Sequence, residues 1–417
     1  MKTNYKSRNI FFFLFIILIS FSCSKDNPTE PNQNWGDNFV KADITYDDNV
    51  VKFDENDAND FVSVDSLNFK FSINENNSKV KNLKIGDIFV YRNFAICKVS
   101  NITKIGKTYI INSEPIPLTE AISDANIEWD YGIEFSEESV IKNLRDHKAN
   151  IIQVGNKYQF EFTYGSFKVT GEITFQEKET PITLTIEKSI ADVPVAKLIV
   201  DGKFSRFRSK GKCKIKNHEL TEFSTNANEL NGEFEISVIT TASGYDKGIE
   251  IPFPLVSGPI GVPFFTWSIK FLGVIYSYVP PGSSALIKEK FTYSASQGFS
   301  YASSTNQVNT SANKTKSQIE KASENQHTGG PSQVQVSWGI AIPRFEISLM
   351  GTTLAWFQTA FLLDGYYNFY PACQMINAHF YGAAGWGLGL LGVTIASGSK
   401  NLWDDKKVII KSGDCPE

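Results

Sequence analysis

The chain of 417 residues has few of the side chains on which metal and nucleophile chemistry depend. It contains four histidines and five cysteines, and they are scattered along the sequence. No Cys-x-x-Cys pair, no Cys/His spacing typical of zinc and no Gly-x-Ser-x-Gly motif occurs. We therefore predict that the protein is not an enzyme, holds no metal and needs no cofactor.

An excess of positive charge is also lacking. The 41 Lys and Arg residues face 45 Asp and Glu residues, which gives a net charge of −4. Nucleic-acid-binding domains usually carry a basic surface, so we expect no nucleic-acid partner. Hydrophobic residues make up 41% of the chain, an ordinary share for a globular protein, and this excludes a disordered chain.

The N-terminus has the pattern of an export signal. Basic residues precede a continuous apolar run, Ile10 to Ile19, which is too short for a transmembrane helix. Cys23 follows this run and a small residue, an arrangement that resembles the lipobox of bacterial lipoproteins, although Ser20 stands where leucine is usual. The relaxed form resembles that of Bacteroidota lipoproteins. The resemblance implies a signal peptide over residues 1–22, an acylated Cys23 and a flexible tether over residues 23–35.

This resemblance also implies a location. Two or more acyl chains on one cysteine anchor a protein stably to a membrane. We therefore expect a protein bound to the outer membrane through its N-terminal lipid. Only Asp26 is acidic in the segment after Cys23, which is a weak match to the surface-export signals of that phylum. The sequence leaves open whether the protein faces the cell surface or the periplasm.

Four cysteines remain for disulfide formation, which the cell envelope permits. They allow three pairings, and the sequence does not choose between them. We prefer the pair Cys373–Cys415, because it would tie the C-terminal tail to the last domain. Cys97 and Cys213 lie in strand-like runs, where buried free thiols and a disulfide are both open.

Short runs that alternate or are continuously apolar recur along most of the chain, and they predict β-strands. We expect an all-β fold with little helix and two or more β-sandwich or curved-sheet domains. Helix is favoured only over Glu137–Lys148, with a turn near Leu118–Ile122. The N-terminal β region would span residues 36–245, which could be two modules divided near residues 130–150. An aromatic-rich β domain would span residues 246–417.

The segment Leu83–Trp129 resembles a β module that is common in uncharacterised bacterial surface proteins. The residues that carry the resemblance are Gly86-Asp87-Ile88, Lys98-Val99-Ser100 and Leu118-Thr119-Glu120-Ala121. The resemblance implies a β module on a cell envelope and no particular activity. Gly86-Asp87 predicts a turn, followed by a hairpin whose second strand ends at Pro115 and Pro117.

Two long stretches of the second half almost lack charge. Ile251–Ile287 contains only Lys270, and Ile347–Ser399 contains only Asp364 together with His379. Both are rich in aromatic residues. Three interpretations remain open: strands buried on both faces of a double-layer β domain, an apolar groove or tunnel for a ligand, and a membrane-inserted element.

Several polar or glycine-rich segments favour ordinary structural roles. Residues 303–332 predict an exposed loop or a short surface helix over Thr315–Ser323. The glycine-rich run Gly382–Gly398 lacks the ending of a phosphate-binding loop and predicts close strand packing. The cations of Phe204–Ile215 indicate a solvated face. The acidic run Asp54–Asp60 favours a solvated loop, with a calcium site as the alternative.

Two functions fit these observations. The first is a lipid-anchored binding or adhesion protein of the cell envelope, which would present aromatic side chains to a glycan or a protein. The second is a carrier or assembly factor that holds a hydrophobic ligand in an apolar cavity of residues 250–400. A purely structural envelope protein is a weaker third. Candidate ligand-binding residues for the first function are Trp267, Trp338, Trp356 and Trp386.

Overall fold

Three β-sheets make up most of the described part of the chain. The computed structural model describes residues 38–415 except 66–67, 92–94, 134, 147, 177–178, 242–243, 262–263, 280–282, 322–325, 329–332 and 394–396. The predicted all-β class is confirmed. The predictions for the signal peptide, for Cys23 and for the tether lie outside the described residues.

The described part of the chain forms 24 strands, two α-helices and three short 3-10 helices. The α-helices are α1 (Ser78–Asn82) and α2 (Glu137–Asp146), and the 3-10 helices are Glu55–Asp60, Leu118–Glu120 and Gly389–Leu391. The strands are β1 (Phe39–Tyr46), β2 (Val50–Phe53), β3 (Phe61–Asp65), β4 (Lys70–Asn74), β5 (Ile88–Tyr91), β6 (Ala95–Ile105), β7 (Thr108–Pro115), β8 (Ile122–Ile133), β9 (Asn150–Val154), β10 (Lys157–Tyr164), β11 (Phe167–Thr174), β12 (Glu179–Ile190), β13 (Val193–Ser205), β14 (Phe207–Lys216), β15 (Glu219–Thr241), β16 (Gly244–Pro259), β17 (Phe265–Val279), β18 (Ser284–Ala302), β19 (Gln307–Lys321), β20 (Gln326–Thr328), β21 (Val334–Leu349), β22 (Thr352–Asn368), β23 (Cys373–Trp386) and β24 (Gly398–Gly413).

A sheet of twelve strands, the large sheet, is built around the long strand β15. One edge of β15 pairs first with β14 and then with β13, so these two strands and β15 form one extended hairpin. The other edge of β15 pairs with β18 along nearly its whole length. Strands β12 to β9 continue the sheet from β13, and β8 and β1 continue it from β14.

A second sheet, the covering sheet, packs face to face on the large sheet. Its six antiparallel strands follow the order β16-β17-β21-β22-β23-β24. Aromatic rings fill the interface, with ring centroids 5.2 Å apart for Phe207 and Phe345 and 5.7 Å apart for Phe234 and Phe361. The two uncharged stretches supply most of the covering sheet, so burial in a β-sandwich accounts for their lack of charge.

The expected division at residue 245 does not separate two domains. Strands β16 and β17 belong to the covering sheet, but the chain then returns to the large sheet as β18, β19 and β20. Because β18 pairs along β15, residues on both sides of position 245 complete the same sheet.

The polar segment 303–332 also differs from the expected loop or helix. It contains strand β19, which pairs with β18, and the short strand β20. β19 lies at an edge of the large sheet, and its hydrophobic members Val308 and Ile319 are the ones that pack against the core. One strand with so few apolar residues gives no alternating signal in the sequence.

A small sheet of six strands, β2-β5-β6-β7-β4-β3, lies within residues 50–115 and has its own core around Phe53, Phe71 and Phe89. It includes most of the segment that resembles a bacterial surface module. The predicted hairpin is confirmed as β6 and β7, and β7 ends at Pro115. Gly86 forms the predicted turn with a φ of 92°.

The cysteines take the preferred arrangement. A disulfide joins Cys373, at the start of β23, to Cys415, just beyond β24. Cys97 and Cys213 are free and buried. Burial raises the pKa of the Cys97 thiol to about 11 and that of the Cys213 thiol to about 12, so neither is a reactive thiolate near neutral pH.

Replacing both Cys373 and Cys415 by serine should lower the free energy of unfolding by roughly 2–4 kcal/mol, because the bridge closes a loop in the unfolded chain. The sequence separation of the pair is 42 residues. Urea unfolding of the wild type and the double variant measures the difference. Addition of a reductant should destabilise the wild type and leave the variant unchanged; equal sensitivity of both would contradict the assignment.

Candidate functional site

Three of the four candidate tryptophans belong to the core. Trp338 is 0% exposed and Trp267 is 5% exposed, so neither can contact a large ligand. Trp386 stacks on Phe299 of the large sheet, with ring centroids 5.7 Å apart. The prediction that Trp267 and Trp338 bind a ligand is therefore wrong, because aromatic residues of an inward-facing register fill the sandwich interior. Trp386 also packs against the core but is partly exposed, so its role as a ligand contact stays a prediction.

The Trp356 side chain lies on the opposite face of the covering sheet from the core. Its neighbours Ala355 and Phe357 are buried in the sandwich core, so strand alternation places Trp356 on the outer face of the covering sheet, where it is partly exposed. Its indole lies over Gly385, its direct partner on β23. A Cβ atom on Gly385 would come within 2.3 Å of the ring.

Four other tryptophan rings lie over glycines in the same way. In each case the tryptophan and the glycine are direct partners on two adjacent strands. The predicted close packing of the glycine-rich run is confirmed, since three of its glycines are covered by indoles. The further pairs are Trp129–Gly211, Trp267–Gly258, Trp386–Gly398 and Trp403–Gly382.

The outer face of the covering sheet has an apolar floor. Leu272, Ala341 and Ala360 are almost fully buried there, with Val274 and Tyr381 packed against them. A bulge in β21, between Ala341 and Arg344, lies next to this floor. Bulges redirect side chains relative to regular alternation.

A charged network borders the floor. The carboxylate of Glu346 accepts hydrogen bonds from Lys270 Nζ at 2.6 Å, from Arg344 Nε at 2.8 Å and from Thr353 Oγ1 at 3.1 Å. The Glu346 side chain is only 3% exposed, whereas Lys270 and Arg344 are 33% and 24% exposed. The buried carboxylate therefore holds two cations at the surface.

Electrostatics keep Glu346 ionised. Burial opposes ionisation, but the hydrogen bond from Lys270 and the charges of Lys270 and Arg344 outweigh it, so the pKa of Glu346 lies below its ordinary value. The network at neutral pH thus holds one carboxylate and two cations.

Arg344 connects this network to Trp356. Its guanidinium carbon lies 4.4 Å from the centroid of the Trp356 ring. It also donates to Gln358 Oε1 at 3.3 Å, and Gln358 Nε2 lies 3.5 Å from the Tyr381 hydroxyl. The guanidinium is consequently fixed from three directions, by a carboxylate, an amide and an aromatic ring.

A cleft of about 360 Å3 opens beside these groups and is called the Glu346 cleft here. The Tyr164 ring and the charged groups of Lys270, Arg344 and Glu346 meet at this concave surface, as in small-molecule sites generally. Trp356 adjoins it through its contact with Arg344. The lining residues are Tyr164, Glu250, Pro252, Lys270, Phe271, Leu272, Arg344 and Glu346.

No ligand-binding role was predicted from the sequence for Arg344, Glu346, Gln358 or Tyr381, although Glu346 and Asp364 stood out as the only acidic residues of the inner strands. A signal was present, because Lys270 is the single charge within 37 residues of β16, β17 and the start of β18. An isolated charge in an otherwise uncharged strand requires a partner, and here the partner is Glu346.

The sandwich interior contrasts with the cavity expected for a hydrophobic carrier. An enclosed apolar cavity between β18, β21, β22 and β23 has a volume of about 10 Å3. This is about the space that one water molecule needs.

The other motifs have structural roles. The acidic run forms a 3-10 helix capped by Asp54, and Lys79 Nζ lies 2.6 Å from Asp57. The cations of β14 pair with carboxylates, as in the 2.7 Å bond from Arg208 Nε to Asp130. Within the described ranges, no three His, Cys, Asp or Glu side chains are grouped to hold a metal ion. No helix of that part of the chain is both long and apolar enough to cross a membrane.

Comparisons with protein-family models, with curated proteins and with solved structures find no match to this chain.

Replacing Glu346 by alanine should lower the free energy of unfolding by about 3 kcal/mol, because Lys270 and Arg344 would lose their buried counter-charge. Glu250→Ala, at an exposed position of the same cleft, should change it by less than about 0.5 kcal/mol. Urea unfolding near neutral pH provides the comparison, and equal effects of the two variants would contradict a buried network.

The contribution of Glu346 should also depend on pH. Its folded-state pKa is lowered, so its stabilisation is present above the unfolded-state pKa and is lost as pH falls through the folded-state value. The difference in stability between wild type and Glu346→Gln should therefore shrink in acid. A constant difference from neutral pH to about pH 3 would contradict this prediction.

Proposed function

We propose that this protein is a non-catalytic, lipid-anchored binding protein of the cell envelope, and that the outer face of the covering sheet binds a saccharide. The observation that carries the proposal is the Arg344 guanidinium, held on the Trp356 ring beside the buried Glu346 carboxylate. Flat apolar faces of sugar rings fit aromatic surfaces, and their hydroxyl groups fit fixed charged and amide side chains.

Preorganisation supports this proposal. Two of the five N–H groups of a guanidinium serve the bonds from Arg344 to Glu346 and Gln358. The other N–H groups supply donors for a ligand. Lys270 adds a partly exposed ammonium group, and Glu250 adds an exposed carboxylate in the same cleft. A ligand with several hydroxyl groups can pair with donors and acceptors here without reorganising the network.

The alternative, a carrier for a hydrophobic molecule, has less support. The apolar cavity lined by β18, β21, β22 and β23 has a volume of about 10 Å3, far below the several hundred Å3 typical of small-molecule pockets. A larger, mostly apolar cleft of about 680 Å3 beside Thr352 and Leu388 is open to solvent. The Glu346 cleft is lined partly by charged side chains. We therefore favour a polar ligand.

Binding to immobilised polysaccharides tests the proposal. Trp356→Ala should weaken binding by about tenfold or more, because the ring and the support of the guanidinium are both lost. Tyr370→Ala is the matched control, since it removes an aromatic ring that is 89% exposed at the turn after β22. We expect its binding to equal that of the wild type. Binding that depends on Tyr370 and not on Trp356 would refute the assigned site.

The anchor is tested separately. We expect a labelled fatty acid to be incorporated into the full-length protein in cells and not into the Cys23→Ala variant, which should leave the membrane fraction. Protease treatment of intact cells, with a periplasmic protein as control, then determines on which side of the outer membrane the protein lies. Degradation indicates the cell surface, and protection until the outer membrane is permeabilised indicates the periplasm. Equal labelling of both proteins would exclude Cys23 as the lipid site.

A further inference from the structure

A histidine on the outer face of the covering sheet lies between two carboxylates. His379 Nε2 is 3.0 Å from Asp364 Oδ2, and His379 Nδ1 is 3.4 Å from Asp404 Oδ1. The three residues belong to β23, β22 and β24, so the imidazole bridges three adjacent strands. Asp364 also accepts a hydrogen bond from Ser337 on β21.

The geometry favours a charged ring. A neutral imidazole has one N–H group and one lone pair, so one of its nitrogens would face a carboxylate oxygen without a proton between them. The imidazolium ion has two N–H groups and satisfies both carboxylates. The His379 side chain is 19% exposed, which limits the replacement of these contacts by water.

We propose that protonated His379 is a pH-sensitive fastening that holds the edge strand β24 to the covering sheet. The neighbouring Asp405 points to the opposite side of β24, where it bonds Lys314 and Ser317 of β19. β24 therefore connects the two sheets along one open side of the sandwich. Deprotonation of His379 removes a side-chain contact between β24 and β23. It leaves the contacts between β24 and β19 in place.

Other groups around the ring set the strength of this fastening. Lys406 is the direct partner of His379 on β24, and its exposed ammonium group opposes protonation. Tyr381 follows on the same face of β23 and is neutral below about pH 10. The hydrogen bond that His379 donates to Asp364 and the charges of both carboxylates outweigh partial burial, so the pKa of His379 is raised above its ordinary value of 6.5.

The direction of the effect follows from this shift. A histidine whose folded-state pKa is raised contributes stability that is fully present below its unfolded-state pKa and is lost as pH rises through the folded-state value. The contacts of the imidazolium ion with both carboxylates are therefore present below the unfolded-state pKa of His379, and one of them is lost as pH rises above the folded-state pKa. Each unit by which the pKa exceeds 6.5 corresponds to a tenfold preference of the proton for the folded state.

An NMR titration of the histidine rings in the full chain tests the protonation state. We expect a pKa above 6.5 for His379, and a lower pKa in the Asp404→Asn variant, which keeps the shape of the side chain and removes one charge. A pKa of 6.5 or less in the wild type would overturn the proposal. This measurement needs no variant of His379 that could fail to fold.

Hydrogen exchange of the β24 amides tests the fastening itself. At about pH 6, His379→Gln should exchange these amides severalfold faster than the wild type, and at a pH well above the His379 pKa found in the titration the two should be equal, because the wild-type ring is then neutral. Comparison at one pH removes the intrinsic pH dependence of exchange. A ratio that does not change with pH would show a merely structural role and overturn the proposal. Neither measurement depends on the ligand of the Glu346 cleft.

Discussion

The burial of aromatic rings between the two large sheets is the interaction on which the rest of the structure depends. Phe361 shows this most clearly, because its ring contacts Phe234, Phe291 and Tyr293 of the large sheet and Phe380 of its own sheet. Removing such a ring from a protein core costs about 3–5 kcal/mol. The inner face of the covering sheet supplies this core, and part of its outer face forms the apolar floor. Few positions on its strands are therefore left for charged residues. The two charges within the nearly uncharged stretches are therefore paired, Lys270 with Glu346 and Asp364 with His379.

The sequence predicted features that depend on local order. Helix α2, the hairpin of β6 and β7 and the turn at Gly86 follow from residues that are close in the chain. Features that depend on distant pairing were not predictable in the same way. The place of β18 beside β15 joins segments separated by the whole of β16 and β17, and β19 is a strand because it pairs with β18 rather than because its residues alternate.

The candidate site was only partly predictable for a related reason. Composition identified the aromatic strands, but facing direction decided which tryptophan is accessible. β21 carries a bulge between Ala341 and Arg344, because this step spans three residues in β21 and two in each of its neighbours β17 and β22. The bulge interrupts the period of two from which facing direction is read. The alternation pattern of β21 alone therefore could not place Arg344 and Glu346 on the same face as Ala341 and the apolar floor.

The path of the chain through the sandwich constrains how it can be made. Strands β13 and β14, which pair with one edge of β15, precede it in the chain, whereas the strand that covers its other edge follows later. That strand, β18, comes only after the first two strands of the covering sheet. An unpaired edge of this length is a template for wrong pairing, and long-range pairing is slow. The large sheet therefore cannot be completed before the segment that returns to it has been made.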